Sequence, residues 1–393
     1  MIYFFNLLFP IYFDYSSTTP VDPRIFEKIL PFIYYKFGNY SSKSHIFGWS
    51  SNYFIETSRK NISNIINCDS REIIFTSGST ESNNICIKGF SLFYKNKGKH
   101  LITLNIEHKS IINCFDYLIS EGFNITYLEV KKNGLINLNQ FNNYIKKNSI
   151  LISISYVNNE LGVIQNINFI SNYCKFKKII LHIDSSQAFG KIFIDLKILK
   201  IDIMSLSSHK LYGPKGCGAV YIRRKSNLYF KNIIHGGGQE KNIRSGTIPT
   251  FGVIGFSESF SILKKIMFFE NLKIKNLKNI LFFEIIKIES LYINGDFKYR
   301  IPHNLNISFN FIEGESLIIS IKNIAVSTGS ACSSSILESS YVLKSLNKFI
   351  PLNGSIRFTF GRFNKITDLY FLLKLLFNSV YRLRLISPFL NVI

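Results

Sequence analysis

The chain has 393 residues, 46% hydrophobic and 18% charged, which suffices for a large domain and a smaller one with real cores and excludes a disordered chain. Its 47 Lys+Arg against 25 Asp+Glu give a formal charge of +22, a field that favours acidic partners. The lysines are scattered among Asn, Ile, Phe and Tyr instead of forming a basic block, so neither direct nucleic-acid binding nor a membrane partner is expected.

Residues 1–10 are apolar but lack a basic start, and they meet Asp14 well short of the roughly 20 residues a membrane span needs, so they read as a first strand. The six cysteines (Cys68, Cys86, Cys114, Cys174, Cys217, Cys332) form no CxxC pair, which argues against a zinc site or redox dithiol. With no secretory signal read at the start, a reducing cytoplasm with free thiols is expected. From about Asp69 onwards, β-rich runs alternate with helical segments. Strands are predicted at 72–76, 101–104, 125–130, 150–156, 179–183, 203–206 and 219–222, with helices through Asn84 and Lys88 and over 111–119. Such alternation predicts an α/β fold: a mostly parallel sheet covered on both faces, with its sites at the carboxyl ends of the strands. A lysine-rich helix over 256–289 then connects to a smaller α+β unit, with strands at 304–309, 324–327 and 355–359 and a helix over 315–321. The expected division is a large domain of residues 15–265 and a small one of residues 1–14 and 266–393.

The strand ends hold the polar residues that can do chemistry. Ser79 and Thr80 open a helix after Gly78, where hydroxyls and backbone N–H groups suit a phosphate, although an ordinary N-cap reads equally well. His108 ends the next strand, and Asn158, Asn159 and Glu160 follow another. Asp184 closes a strand beside Gln187 and, half buried, needs a partner such as a protonated ring nitrogen. Ser207, Ser208, His209 and Lys210 come next, where the chain turns polar in a loop broken by Gly213, Pro214 and Gly216. Lys210 is either a solvated loop lysine or one that attacks a carbonyl to form a Schiff base. Glycine-rich connections follow at 235–239 and at 244–247, which ends in Thr247. Cys332 stands in a loop of small residues, Ser327 to Ser335, an unusual setting for a buried structural cysteine and a suitable one for a reactive thiolate.

Taken together, YFDYSSTTP at 12–20, SGSTES at 77–82, VNNELG at 157–162, SHKLYGPKG at 208–216, HGGG at 235–238, RSGT at 244–247 and STGSACSS at 327–334 resemble the cysteine desulfurases of the IscS/NifS type. The resemblance spans about residues 12–388. It implies the pyridoxal-phosphate-dependent transferase fold (aspartate aminotransferase-like, fold type I), a homodimer, and release of sulfur from L-cysteine with formation of L-alanine. Residue by residue, it implies that Lys210 holds pyridoxal 5'-phosphate and that Asp184 pairs with the pyridinium nitrogen. Gln187 and Asn159 would bond the ring oxygen, and His108 would stack on the ring and handle protons. Ser79, Thr80, Ser207, Ser208 and His209 would surround the phosphate side, with Thr247 reaching in from the other subunit. Arg357, with Asn159, would hold the substrate carboxylate. Cys332 would take the sulfur as a persulfide, pass it to an iron–sulfur scaffold or a tRNA-thiolation relay, and transiently contact a nascent cluster; no resident metal is implied.

Residues 39–42 lack the family's usual proline, Ser185 and Ser186 replace an Ala-Thr pair, and five residues follow Pro388 where relatives carry a longer scaffold-docking tail. A selenocysteine lyase or aminotransferase of the same fold, and a degenerate partner subunit without activity, are the alternative readings. An aminotransferase has no need of Cys332, and the complete set of cofactor residues speaks against decay.

Overall fold

The computed structural model describes residues 9–328, 340–346 and 354–388. In chain order the strands are β1 (Ile11–Tyr12), β2 (Ile73–Thr76), β3 (His100–Leu104), β4 (Asn124–Leu128), β5 (Ser149–Ser155), β6 (Ile180–Asp184), β7 (Ile203–Ser207), β8 (Gly218–Ile222), β9 (Leu291–Ile293), β10 (Asn304–Phe309), β11 (Ile324–Ala325) and β12 (Ser355–Thr359). The helices are α1 (Pro23–Tyr34), α2 (Ile46–Ile65), α3 (Ser79–Asn84), α4 (Phe90–Phe93), α5 (Lys109–Ser120), α6 (Ile167–Lys177), α7 (Thr250–Ile285), α8 (Gly314–Ser320), α9 (Tyr341–Ser345) and α10 (Ile366–Leu385).

Seven strands form the large sheet in the order β2-β8-β7-β6-β5-β3-β4. Only β8 runs against its neighbours, so the carboxyl ends of β2, β3, β5, β6 and β7 share one edge. Strands β3, β6, β7 and β8 are almost wholly buried, as expected where helices cover both faces, and this explains their near-continuous apolar runs. The chain leaves β3 for the edge strand β4 and returns to β5 on β3's other side. That reversal opens a crevice between β3 and β5 at the carboxyl edge.

A second, antiparallel sheet has the order β12-β10-β9, and β1 pairs in parallel with β11 nearby. Two large apolar cores follow from these sheets, beside a smaller one with Leu101, Leu151, Ile203 and Val220 on the large sheet's other face. One of the two large cores contains Ile102, Ile152, Leu181 and Leu206; the other contains Phe13, Leu305, Ile307, Phe309, Ile356 and Phe358. Helix α7 joins them: Val253, Phe256, Phe260 and Leu263 lie in the first core, and Ile274, Leu277, Leu281 and Ile285 in the second. At 1.5 Å per residue its length is about 54 Å, enough to reach from one to the other.

The predicted strands are found within a few residues, but helices α1, α2, α6 and α10 were not anticipated. Helix α1 starts at an Asp22 cap, whose carboxylate accepts from Arg24 N at 3.0 Å, with Pro23 at its first position. Helix α2 packs on α7, and α10 buries Leu369, Leu372, Leu373, Leu376 and Val380 at helical spacing. The expected first strand over 1–10 lies mostly outside the described residues; the strand present begins at Ile11. Helix α9, which falls in the sequence segment assigned to the small domain, puts Val342, Leu343 and Leu346 into the first core.

Candidate active site

Two cavities meet at the shared edge of the large sheet. The first, of 360 Å³, is lined by Thr18, Ser77, Gly78, Ser79, Thr80 and His209, with Glu81, Lys215 and Gly216 around it. Its floor is a close backbone approach: a side chain on Gly218 would lie 2.7 Å from Gly78 Cα. Gly78 itself has φ +153°, with open space where a Cβ would stand. The start of α3 is tied down on all sides. Thr76 Oγ1 lies 2.8 Å from Ser82 Oγ, and Glu81 accepts from Ser77 N at 2.7 Å and from Arg244 Nε at 2.9 Å. Burial alone would raise the Glu81 pKa, but the bonds from Ser77 and Arg244 outweigh it and keep the carboxyl below its ordinary value. The 244–247 stretch is thereby attached to the cradle.

The second cavity is a narrow slot lined by Ser79, His108, Ser155, Val157, Asn159, Asp184, Ser186, Gln187 and Lys210. Asp184 Oδ1 accepts from Ser186 N at 2.8 Å and Ser186 Oγ at 2.5 Å, and Oδ2 accepts from Asn83 Nδ2 at 2.9 Å. Burial pushes its pKa up; the donors from Ser186 and Asn83 and the charge of Lys210 prevail, so the carboxylate stays ionised. His108 caps α5, and its Nδ1 accepts from Ser110 N at 3.1 Å. Burial and then the Lys210 charge lower its pKa, which keeps the ring neutral. Gln187 is gripped at both ends, Nε2 donating to Ser16 O at 2.8 Å and Oε1 accepting from Lys191 Nζ at 2.7 Å. Burial brings the Lys191 pKa down to about 7.

Lys210 ends a short 3₁₀ turn after β7, and the N-terminal strap holds that turn in place. Thr19 N and Oγ1 both donate to His209 O, at 2.9 and 3.0 Å, and Thr19 Oγ1 accepts from Tyr212 N at 2.8 Å. The His209 pKa is lowered to about 4 by burial and by Lys210 and Lys215, so this ring is a neutral donor or acceptor beside the cradle, with Nδ1 3.1 Å from Thr18 Oγ1. Tyr212 takes the left-handed backbone conformation, and its ring lies under the Arg362 guanidinium at 4.0 Å.

Of the residues expected at the site, Ser79, Thr80, His108, Asn159, Asp184, Gln187, His209 and Lys210 line one cavity or the other. Ser207 and Ser208 line neither. Both hydroxyls are buried without a partner among the described residues, and Ser208 Oγ faces Gly213. Thr247 is exposed. Arg357 is buried, with Nη2 on Asp14 and Ser17 at 2.8 Å and Nη1 on the Asn159 carbonyl at 3.0 Å, while Nε has no partner among the described residues. Cys332 lies outside the described residues. The chain on either side of it is anchored at Ser327, which donates to Asp14 at 3.1 Å, and at Ser340, which donates to Glu160 at 2.6 Å. Among the described residues no group of His, Cys, Asp and Glu is placed to hold a metal, and no helix is long and apolar enough to cross a membrane. Asn83, Ser110, Lys191 and Ser16 were not named from sequence; the local signal was their place within a recognised motif, for Ser16, or a few residues from a singled-out one, for the others.

A flat, anionic, phosphorylated pyridine fits this pair of cavities. The open space over Gly78 with the Ser79 and Thr80 hydroxyls beside it, and the ionised carboxylate on the slot's lining, match a phosphate and a ring N–H. Comparison with known proteins agrees. The family model described as aminotransferase class-V matches residues 11–372. The chain is 48% identical over 380 residues to a protein named cysteine desulfurase IscS from Methylococcus capsulatus, covering 96% of this chain and 94% of that one. A solved NifS-like protein superposes with a TM-score of 0.88 at 30% identity, over 95% of this chain and 100% of its own. The structure of SspA in complex with cysteine does so at 0.81 and 34% identity, covering 90% and 100%. The expected transferase fold is therefore present, and the chain belongs to the class-V aminotransferase family, among its IscS-type cysteine desulfurases, which are pyridoxal-phosphate enzymes.

Proposed function

We propose that this cysteine desulfurase works through Lys210, His108 and Cys332, with Arg357 receiving the carboxylate of L-cysteine. The observation that carries this reading is the convergence of His108, Asn159, Asp184, Gln187 and Lys210 on one slot beside the open cradle of Ser79 and Thr80. Lys210 holds pyridoxal phosphate. Asp184 is kept anionic to face the ring nitrogen, and Gln187 and Asn159 serve the ring oxygen. Ser79, Thr80, Ser207 and His209 hold the phosphate, completed by Thr247 of a second copy. When bound, the cofactor supplies the electron sink that weakens the Cβ–S bond of the substrate. Lys210 Nζ would be the base that takes the Cα proton of the substrate. Cys332 as a thiolate attacks the substrate sulfur; the Cβ–S bond breaks, its electron pair stays with carbon, and the sulfur remains as a persulfide on Cys332.

The SspA–cysteine complex supports cysteine as substrate. A homodimer is supported by the apolar side chains that α1, α2 and their connection leave exposed, including Phe26, Tyr34, Tyr35, Phe37, Phe47 and Trp49. The two cores support a large domain of residues 15–265 and a small domain of residues 1–14 and 266–393, with α9 crossing onto the large one. We assign the protein to the cytoplasm, with an iron–sulfur scaffold or a thiolation relay as sulfur acceptor.

Visible spectra and an alanine and sulfide assay test the roles. Lys210→Ala is expected to lose the absorption of the lysine-bound cofactor together with turnover. Cys332→Ala is expected to keep the colour and lose sulfide release. Unchanged sulfide release by Cys332→Ala would overturn its assignment.

A further inference from the structure

Asn83 sits one helical turn beyond Ser79 on the run that starts at the cradle, and it is fully buried. Its Nδ2 donates one proton to Asp184 Oδ2 and the other to Ser110 Oγ, each at 2.9 Å. The amide orientation is forced, because a flip would aim its oxygen at the carboxylate, acceptor against acceptor. In consequence Oδ1 is buried with no partner among the described residues. Native interiors rarely leave such an acceptor unmet, so placing both donors outweighs the loss.

The hydrogen-bond directions then run one way. The carboxylate only accepts and the amide nitrogen only donates. Ser110 Oγ, having accepted from Asn83, has its single proton available for His108 Nδ1 at 2.9 Å, where Ser110 N also donates at 3.1 Å. That backbone N–H requires Nδ1 to be bare, so the ring proton sits on Nε2, and the hydroxyl proton is a second donor to Nδ1. We infer that Asn83 is a positioning residue that couples Asp184 through Ser110 to His108 and turns the Ser110 hydroxyl into a second donor to the bare Nδ1 of the neutral histidine.

The inference rests on reading the slot as the cofactor site, and it adds a reason for His108 to enter the reaction in one protonation state. The other charged groups around His108 are accounted for. Lys210 lowers and Asp184 raises its pKa from the slot side, and Lys88 and Lys109 line the outer cavity that it shares with Ser110. The adjacent Glu107 is turned onto Ser155 N at 2.8 Å.

The test is ¹⁵N–¹H correlation on the full chain carrying ¹⁵N-histidine, with and without pyridoxal phosphate, His108 being assigned by the signal lost in His108→Gln. The wild-type protein is expected to show the Nε2–H tautomer. Asn83→Ala frees the Ser110 hydroxyl to turn away from Nδ1, while the Ser110 N–H still keeps that nitrogen bare. A titration midpoint higher by about 0.5 unit or more is expected, with the Nε2–H tautomer retained. Ser110→Ala should shift the midpoint the same way, the double variant no further, and Ser110→Thr should restore the wild-type signal. An Nδ1–H tautomer in the wild type overturns the inference. So does a wild-type midpoint in folded Asn83→Ala or, should that variant not fold, in Ser110→Ala. A wild-type protein that takes up no cofactor would sink the slot reading instead, while the cofactor-free spectra still decide the role of Asn83.

Discussion

The cradle and the slot share Ser79 and stand at the same sheet edge, yet they are built on opposite plans. In the slot the polar groups are already matched: Asp184 has three donors, Gln187 is held at both ends, and His108 is fixed by Ser110. In the cradle the space over Gly78 stays open, with the Ser79 and Thr80 hydroxyls on its lining. The slot spends its hydrogen bonds on orienting protein groups; the cradle keeps its donors for an incoming anion. Pre-arranged groups act on developing charge without reorganising, and an anion-binding loop needs unsatisfied donors. Loss of one group should thus affect rate in the slot and affinity in the cradle.

Asp184→Asn is the strongest way to break that contrast. It removes the charge while keeping the size, so turnover should fall by about 10³-fold with the cofactor still bound. Alanine formation measured against bound-cofactor absorbance checks it, and a loss below tenfold would erase the special status given to the slot. On the other side, Thr80→Val removes one hydroxyl from the cradle. A hydrogen bond to a charged group is worth about 1.5–3 kcal/mol, so cofactor affinity should drop roughly 10–100-fold, with turnover at saturating cofactor little changed. Titration of cofactor-free protein measures the affinity; a fall in kcat at unchanged affinity would reverse the assignment.

The smallest expected effect concerns Glu160, which links the slot's Asn159 to the end of the segment carrying Cys332. Burial pushes its pKa up from 4.5 to about 7, against the bond from Ser340. A carboxyl raised in the folded state favours folding most when protonated. Its contribution is full below about pH 4.5 and is lost as pH rises through 7. Glu160→Gln keeps the acceptor for Ser340 and removes the titration. The variant should gain on the wild type by roughly 1–3 kcal/mol between pH 5 and pH 8 in urea unfolding. A stability difference that does not change with pH would show that the carboxyl is solvated.

How much could be read beforehand follows from the range of each interaction. The strands of the large sheet were legible because burial on both faces demands continuous apolar, β-branched runs such as 150–154 and 179–183. The residues lining the slot were legible one strand end at a time. Helix α10 was not anticipated, although its apolar residues repeat at helical spacing, because the chain-order reading closed the small unit at Thr359. The partners of the site residues were illegible for a deeper reason. Asn83 meets Asp184 across 101 positions, and Arg357 meets Asp14 across 343. Nothing local to either residue announces such a contact.

By itself, then, the sequence determined the alternation of strands and helices, the placing of polar residues at strand ends, and the choice of lysine and cysteine, since propensity, burial pattern and side-chain chemistry act locally. Only the tertiary structure decided what each of those residues faces. It brought β2, β3, β5, β6 and β7 to a common edge, laid the strap of residues 14–22 over the Lys210 turn, and left the Asp184 carboxylate ionised in a buried slot. Hydrogen bonding and desolvation depend on neighbours in space, and those are set by the closing of the sheet.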